Sequence, residues 1–473
     1  MSQLDLAIVL AAGEGTRMKS TRPKVLHEIA GRSLLGHVLH ALSSLSSKEI
    51  RVVVGSGKDD VIAHLKTIAP KVLPIFQEVR GGTGHAVRIA LKDAVASGTV
   101  IVCAGDTPLL TGASLQEFIK AHTESGAAAT VLTTEMPDPY GYGRIIRDGD
   151  GAILKIVEEK DASEFEKEVT EINSGVFLFD LAALTSALSR ITTANAQKEE
   201  YLTDVIGILK SDGKKVAAHC IDDFTEILGI NDRSQLSECA ALMRDRINHA
   251  LMMSGVSIQD PLTTWVDVNV EIDSDVTLMM GTSLSGETKV STGAVIGPRT
   301  TLINTTVDKS AHVIESFCRD AKIGASAVVG PYSHLRNGTV LAGESKVGSF
   351  VEMKNATLGT GSKVPHLSYV GDATIGDESN IGAATVFVNY DGVEKHHTTV
   401  GDHVRIGSDS MLVAPVTIGD GAYTAAGSVI TEDVPPGAMG IGRSRQVNIL
   451  GWVLRKRKGS TSAAAAEKKG IHE

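Results

Sequence analysis

Two groups of residues in this 473-residue chain have the types and spacing that chemistry would need. The first is the run Leu10, Ala11, Ala12, Gly13, Glu14, Gly15, Thr16, Arg17, Met18, which directly follows an apolar stretch. Backbone amides in such a glycine-rich turn can approach phosphate oxygens closely, because no side chain stands in the way. Arg17, and Lys24 after Pro23, supply positive charge beside it. A dinucleotide-binding GxGxxG turn would need glycine where Met18 stands, so that reading is rejected. The second group is polar and sits within an otherwise aliphatic repeat: Arg336, Lys354, His366, Tyr369, Asn380, Asn389 and Tyr390. A repeat that served only for trimerisation would have no use for these side chains. His396 and His397 suggest a metal, but adjacent histidines do not share a face and no carboxylate spacing supports the idea.

The elements that must position these groups are legible in the periodicity. Up to about Ile230, apolar runs at Leu6 to Leu10, Arg51 to Val54 and Val100 to Cys103 alternate with helical patterns at Leu34 to Leu45 and Ala86 to Ala96. That alternation predicts an α/β domain with a largely parallel sheet. Leu236, Ala240, Met243, Ile247 and Leu251 predict one helix over 233–254, with Asp232 and Gln235 as a capping box and Gly255 as its stop. Beyond it the pattern changes. Ile323, Val329, Leu335, Leu341 and Val347 stand six residues apart; Ile375, Ile381 and Phe387 resume the phase, and Val400, Ile406, Leu412, Ile418, Thr424 and Ile430 continue it. Val290, Ile296 and Leu302 place the start of the repeat before Lys309. A six-residue apolar period with glycine-rich corners is the mark of a hexapeptide parallel β-helix, whose coils are stable only when stacked. The segment from Asn389 to Thr399 breaks the phase and should loop outward.

The turn Leu10 to Met18, followed by Arg22-Pro23-Lys24, resembles the sugar-nucleotide pyrophosphorylase family. Further residues extend the resemblance. Gln77 with Gly82 and Thr83 matches the segment that reads a uracil ring, and Ala104, Gly105 and Asp106 match the strand end that carries a metal-binding carboxylate. Gly143, Glu158, Asn173 and Asn231 match sugar- and metal-contacting positions, with Asp106 and Asn231 as the Mg2+ ligands. The polar set of the repeat resembles the acetyltransferase half of the bifunctional N-acetylglucosamine-1-phosphate uridyltransferase/glucosamine-1-phosphate N-acetyltransferase family. That resemblance implies a left-handed β-helix and assigns roles. His366 is the general base; Arg336 and Lys354 hold the sugar phosphate, and Tyr369, Asn380, Asn389 and Tyr390 orient the sugar; Ala383, Ser408, Ala426 and Arg443 line the path of acetyl-CoA. Histidine suits the role because its ordinary pKa of about 6.5 lies near working pH. The chain departs from the common family pattern at Gly81, Ala104 and Ala384.

The expected division is therefore a uridyltransferase domain over 1–232, a linker helix over 233–254, a β-helix over 255–454 and a disordered tail over 455–473. The resemblance implies synthesis of UDP-N-acetylglucosamine from glucosamine-1-phosphate, acetyl-CoA and UTP through N-acetylglucosamine-1-phosphate, by a homotrimer. A formal net charge of −10 argues against nucleic acid as a partner. No stretch has the length and apolarity of a membrane span, and the first residues lack a secretory pattern, so a cytoplasmic enzyme is expected. Cys103, Cys220, Cys239 and Cys318 are scattered, without metal-binding spacing, and read as free thiols.

Overall fold

The structure, a computed structural model, describes residues 4–94 and 97–470. Two compact units divide the chain: one comprises Met1–Ser274 with Leu278–Thr288, the other Asp275–Thr277 with Lys289–Glu473.

The first unit is built on a twisted sheet. Its main strands are β1 (Leu6–Ala11), β2 (Glu49–Val54), β3 (Leu73–Phe76), β4 (Thr99–Ala104), β5 (Ala129–Glu135), β6 (Glu171–Asp180) and β7 (Val216–Cys220). They lie in the spatial order β7-β5-β6-β4-β1-β2-β3. β6 alone among these runs antiparallel to its neighbours, against β4 on one side and β5 on the other. The central strands are buried on both faces, as their near-continuous Val and Ile content requires. Helices α1 (Leu34–Ser43), α2 (Lys58–Ile68), α3 (Thr83–Ala90) and α4 (Gly112–Ser125) connect the strands. α1 begins on a Ser33 cap that accepts the Gly36 amide, and α4 on a Thr111 cap that accepts that of Ser114. The expected helix from Ala86 to Ala96 instead starts at Thr83 and stops at Ala90; Ala96 lies outside the described residues.

The long helix α5 spans Arg233–Met253. Asp232 accepts the Gln235 amide at 3.0 Å, while the Gln235 side chain accepts the amide of Asn231 at 2.8 Å, so the reciprocal cap is displaced by one residue from the usual box. α5 is no free-standing spacer. Cys239 and Met243 pack with Met18, Ile29, Leu34 and Ile230, and buried Asn248 donates to the carbonyls of Pro261 and Thr264. These contacts, together with the Val268 amide on the Ala30 carbonyl at 3.0 Å, bind the residues just after α5 to the head. The first compact unit runs on to Ser274, while the strands of the two β-helix sheets begin at Ser257–Ile258 and Trp265–Val266.

In the second unit short strands stack in parallel, one coil upon the next. Val307, Ile323, Leu341, Leu358, Ile375, Val400 and Ile418 form one buried column in register. Val313, Val329, Val347 and Val364 form a second, and Cys318, Leu335, Met353 and Val370 a third. Each six-residue step turns the chain to the next face, which is the physical meaning of the repeat. The interruption after Val388 does leave the wall: Tyr390 bridges to Lys395, and Val393 is 85% exposed. The last strand is Met439–Gly440, so regular coils end before 454.

The tail departs from the expectation of disorder over 455–473. Trp452–Lys456 and Thr461–Glu467 are helical and pack on one another, with Leu454 and Ala463 buried. Ser460 caps the second helix by accepting the Ala463 amide at 3.2 Å, and the alanine run that looks like low complexity is also the strongest helix former. Residues 471–473 lie outside the described residues.

Candidate active sites

In the head, β1 runs out into the glycine turn and a single 3-10 turn, Thr16–Met18. Gly15 has φ +62°, and a methyl group there would sit 2.6 Å from the Cβ of Lys24, so glycine is what lets Lys24 fold in against the turn. A cavity of about 500 Å³ opens here. Its floor is Leu10, Ala11, Ala12 and Gly13; Arg17 and Lys24 line one side; Gln77, Gly82 and Thr83 line another; Ala104, Asp106 and Asn231 complete it. Gly105 lies just beneath, its amide on the Leu10 carbonyl at 2.9 Å. The Lys24 ammonium binds the Asp106 carboxylate and the Asn231 amide oxygen, the latter at 3.1 Å. The Ile230 amide on the Asp106 carbonyl, at 3.0 Å, holds the two oxygen donors together. Hard oxygen donors converging on one cation suit Mg2+, which binds through few protein ligands and keeps waters and substrate phosphates for the rest. Among the described residues no group of three His, Cys, Asp or Glu side chains forms a fuller metal site.

The Gln77 edge of the cavity is a backbone clamp. Gln77 is buried, and its Nε2 faces the Gly82 carbonyl at 3.3 Å and His85 Nδ1 at 3.0 Å. The Glu200 amide donates to the Gly81 carbonyl at 2.7 Å, and the Glu200 carbonyl accepts from Gly84 at 2.8 Å. Gly143, Glu158 and Asn173 do not line this cavity; they form a neighbouring cluster. Asn173 donates its amide to the Gly143 carbonyl at 2.8 Å, and Glu158 accepts the Thr203 hydroxyl at 2.9 Å. Burial pushes the Glu158 carboxyl above its ordinary value, against the Thr203 hydrogen bond. Residues 199–203 join the two: Glu199 lines the cavity, Leu202 donates to Thr83 Oγ1 at 3.0 Å, and Thr203 holds Glu158. Sequence reasoning missed this segment, and also the Arg80–Glu14 ion pair beside the cavity.

In the β-helix, His366 ends the strand Lys363–His366 with its side chain exposed. Its carbonyl accepts from the Ser368 hydroxyl at 2.8 Å and the Ala384 amide at 3.2 Å, which fixes the backbone that carries the imidazole. Tyr369 begins the next strand. Gly371 has no side chain to obstruct the Tyr369 hydroxyl, which lies 3.5 Å from the Asn389 amide nitrogen. Asn389 and Asn355 both donate to Asp372; these bonds, with Lys395 and Lys354 nearby, outweigh burial and hold that carboxyl below its usual range. Arg336 pairs with Glu352 at 2.7 Å. The Lys395 side chain lies against Lys354 and, with Arg336 beyond, lowers the Lys354 pKa. Three cations converging in this way form a site for an anion. Lys395 escaped the sequence analysis because it arrives on the outward loop. Tyr390 is half-exposed, its hydroxyl donating to the Gly392 carbonyl at 2.7 Å. Asn380 stands apart, in register with Lys363 and Arg405.

A corner of successive coils leads away from His366. The Asp409 amide donates to the Ala383 carbonyl at 2.7 Å and the Gly427 amide to the Ser408 carbonyl at 2.9 Å. A methyl group on Gly407 would meet the Ala426 amide, and one on Gly427 would lie 3.7 Å from Arg443. Ala383, Ser408, Ala426 and Arg443 are thus stacked along one edge. Ala384, at φ +60°, occupies a left-handed corner that ordinarily favours glycine.

A MobA-like NTP transferase domain profile matches residues 7–168, and a bacterial transferase hexapeptide profile of six repeats matches 397–432. The bifunctional protein GlmU of Streptomyces coelicolor is 55% identical over 463 residues, covering 97% of this chain and 96% of that protein. That of Streptomyces avermitilis is 56% identical with the same coverage, and that of Thermobifida fusca 53% identical over 466 residues, covering 98% and 96%. The chain belongs to the bifunctional GlmU family. These relatives match 97–98% of the chain. Among the described residues no helix is long and apolar enough to cross a membrane. The cysteines are free, and burial pushes the Cys103, Cys239 and Cys318 thiols up to about 12, which leaves them inert.

Proposed function

We propose that the chain makes UDP-N-acetylglucosamine in two steps at two separate sites, as a cytoplasmic homotrimer. The observation that carries this reading is the presence, in one GlmU-family chain, of two unlike groups: a glycine turn with Lys24, Asp106 and Asn231, and a β-helix that carries His366 and a convergence of Arg336, Lys354 and Lys395.

In the first step the amine of glucosamine-1-phosphate attacks the thioester carbon of acetyl-CoA. His366 takes the amine proton and returns it to the departing sulfur as the carbon–sulfur bond breaks, so coenzyme A leaves as the thiol. Arg336, Lys354 and Lys395 hold the sugar phosphate; Tyr369, Asn380, Asn389 and Tyr390 orient the ring. The Ala383 amide is placed to stabilise the oxyanion, and Ser408, Ala426 and Arg443 carry the coenzyme. In the second step a phosphate oxygen of N-acetylglucosamine-1-phosphate attacks the α-phosphorus of UTP and pyrophosphate leaves. This transfer needs positioning and charge neutralisation more than a proton carrier. Gln77, Gly82 and Thr83 hold the base, Arg17 and Lys24 the phosphates, and Gly143, Glu158 and Asn173 the sugar. Mg2+ held by Asp106 and Asn231 would neutralise charge on the phosphates, and Lys24 must then move from between those two residues onto the nucleotide.

The trimer is supported by an exposed ladder on the β-helix. Tyr332, Phe350 and Leu367 are 54%, 60% and 61% exposed on successive coils, and the first two rings stack at 5.3 Å. All three have positive φ, an arrangement unfavourable for bulky residues unless a partner uses them. Leu367 adjoins His366, which supports an acetyl-transfer site at the seam. The test is a coupled assay with UTP, acetyl-CoA, glucosamine-1-phosphate and Mg2+ that follows free thiol and pyrophosphate together. Thiol release should precede and equal pyrophosphate release; pyrophosphate without thiol would reduce the β-helix to an oligomerisation device.

A further inference from the structure

The head contains a second, larger cavity of about 680 Å³ that shares no lining residue with the nucleotide cavity. It lies among the ends of α1 and α2, the hairpin Glu28–Ile29/Arg32–Ser33, and Asn269. Its size is that of a site for a small metabolite.

Its lining has donors without acceptors. Arg32 is half-buried and, among the described residues, pairs with no carboxylate; it meets only the Asn269 side-chain oxygen, at 3.1 Å. Burial without a counter-ion lowers its pKa. Lys71 also lacks an ion pair among the described residues. Ser33 Oγ accepts the Gly36 amide at 3.0 Å and shares a hydrogen bond with His64 Nε2 at 2.8 Å. His64 Nδ1 meets no protein partner among the described residues. His40 adds a further imidazole. The one carboxylate in the lining, Glu28, is already paired with Arg22. Asp267 abuts Gly31 from outside the lining and accepts the Gly286 amide at 3.1 Å. Apolar Leu39, Ile50, Ile68 and Val72 form the rest of the wall.

We infer that this cavity is a binding site for a small phosphate monoester, with Arg32, Lys71 and His64 on the phosphate and the apolar wall against the body of the ligand. A guanidinium, an ammonium and an imidazole N–H around a tetrahedral dianion are the usual complement of such a site. The site adjoins the catalytic machinery in sequence: Lys24 lies four residues before Glu28, and Pro23 rests against Gly57 at the start of α2.

The test is equilibrium dialysis of the full chain against radiolabelled inorganic phosphate and glucose 6-phosphate, with UDP-N-acetylglucosamine, glucosamine-1-phosphate and coenzyme A saturating the other two sites. One equivalent of glucose 6-phosphate per chain should remain bindable, and inorganic phosphate should compete for it. Arg32→Gln should weaken that binding about tenfold or more, the loss expected for one charge-assisted contact. Lys71→Gln, at an exposed position where folding is not at risk, should weaken it as well, with uridylyl transfer at saturating substrates unchanged in both. Absence of the residual equivalent in the wild-type protein, or residual binding that neither substitution weakens, would overturn the assignment.

Discussion

Gly82 gives the sharpest test of how the uridylyl-transfer pocket is built. Its backbone sits at φ +99°, ψ −177°, a region that only glycine occupies without strain. A methyl group there would lie 2.5 Å from the Glu200 carbonyl oxygen, the same oxygen that accepts the Gly84 amide. Gly82→Ala therefore faces about 1–3 kcal/mol of backbone strain, besides a clash with main chain that cannot rotate away. If the loop must take its present shape to hold UTP, that strain becomes a loss of about 5- to 150-fold in kcat/KM for UTP. Gly81→Ala is the control. A methyl group at Gly81 meets the Cγ and Cβ of His85, at 2.7 and 2.9 Å, so His85 must shift, but no main chain stands in the way. Its φ is not positive, so the loss should be clearly smaller. The assay is pyrophosphate release, with thiol release at the acetyl-transfer site as the check on folding. An unchanged kcat/KM in Gly82→Ala, or a loss in Gly81→Ala as large, would refute the reasoning.

Other expectations follow from the same geometry. Glu158 has a pKa raised by burial, so its ionised form costs stability at neutral pH; that cost vanishes as pH falls through the raised value towards the unfolded one. Glu158→Gln, which can still accept the Thr203 hydroxyl, should raise the Tm of the head at pH 7 to 8, with the gain shrinking in acid, while KM for N-acetylglucosamine-1-phosphate rises. Calorimetry at several pH values reads the first effect and kinetics the second. Lys395→Ala should raise KM for glucosamine-1-phosphate several-fold and weaken its dependence on salt, with KM for UTP unmoved. Gly348→Ala would drive a methyl group into the Pro365 carbonyl, next to His366. It should cost the β-helix about 1–3 kcal/mol and depress thiol release, while pyrophosphate release stays normal.

How much of this could be read from the chain depended on the range of the contacts involved. The phosphate turn lies within nine consecutive residues, and its glycines announce backbone that must approach a ligand or, at Gly15, a lysine. The β-helix was legible because one apolar residue per face repeats through the whole unit, and the columns in register bear out the spacing from Val307 to Ile418. Residues 199–203 were not legible: Leu202 meets Thr83 across 119 positions, through a backbone amide that any residue would supply. Lys395 was hidden for a related reason, since only the folded loop brings it to Lys354. The tail was misread because an alanine run between basic clusters looks featureless until Ser460 is recognised as a cap.

The claim that two autonomous sites share one chain is tested most directly by mixing two disabled proteins. His366→Ala and Asp106→Ala are each supplied with glucosamine-1-phosphate, acetyl-CoA, UTP and Mg2+, alone and together, and UDP-N-acetylglucosamine is measured. Neither variant alone should form product, and the mixture should, because the first retains uridylyl transfer, the second retains acetyl transfer, and N-acetylglucosamine-1-phosphate passes between them through solution. A mixture of folded variants that yields no product would contradict the account.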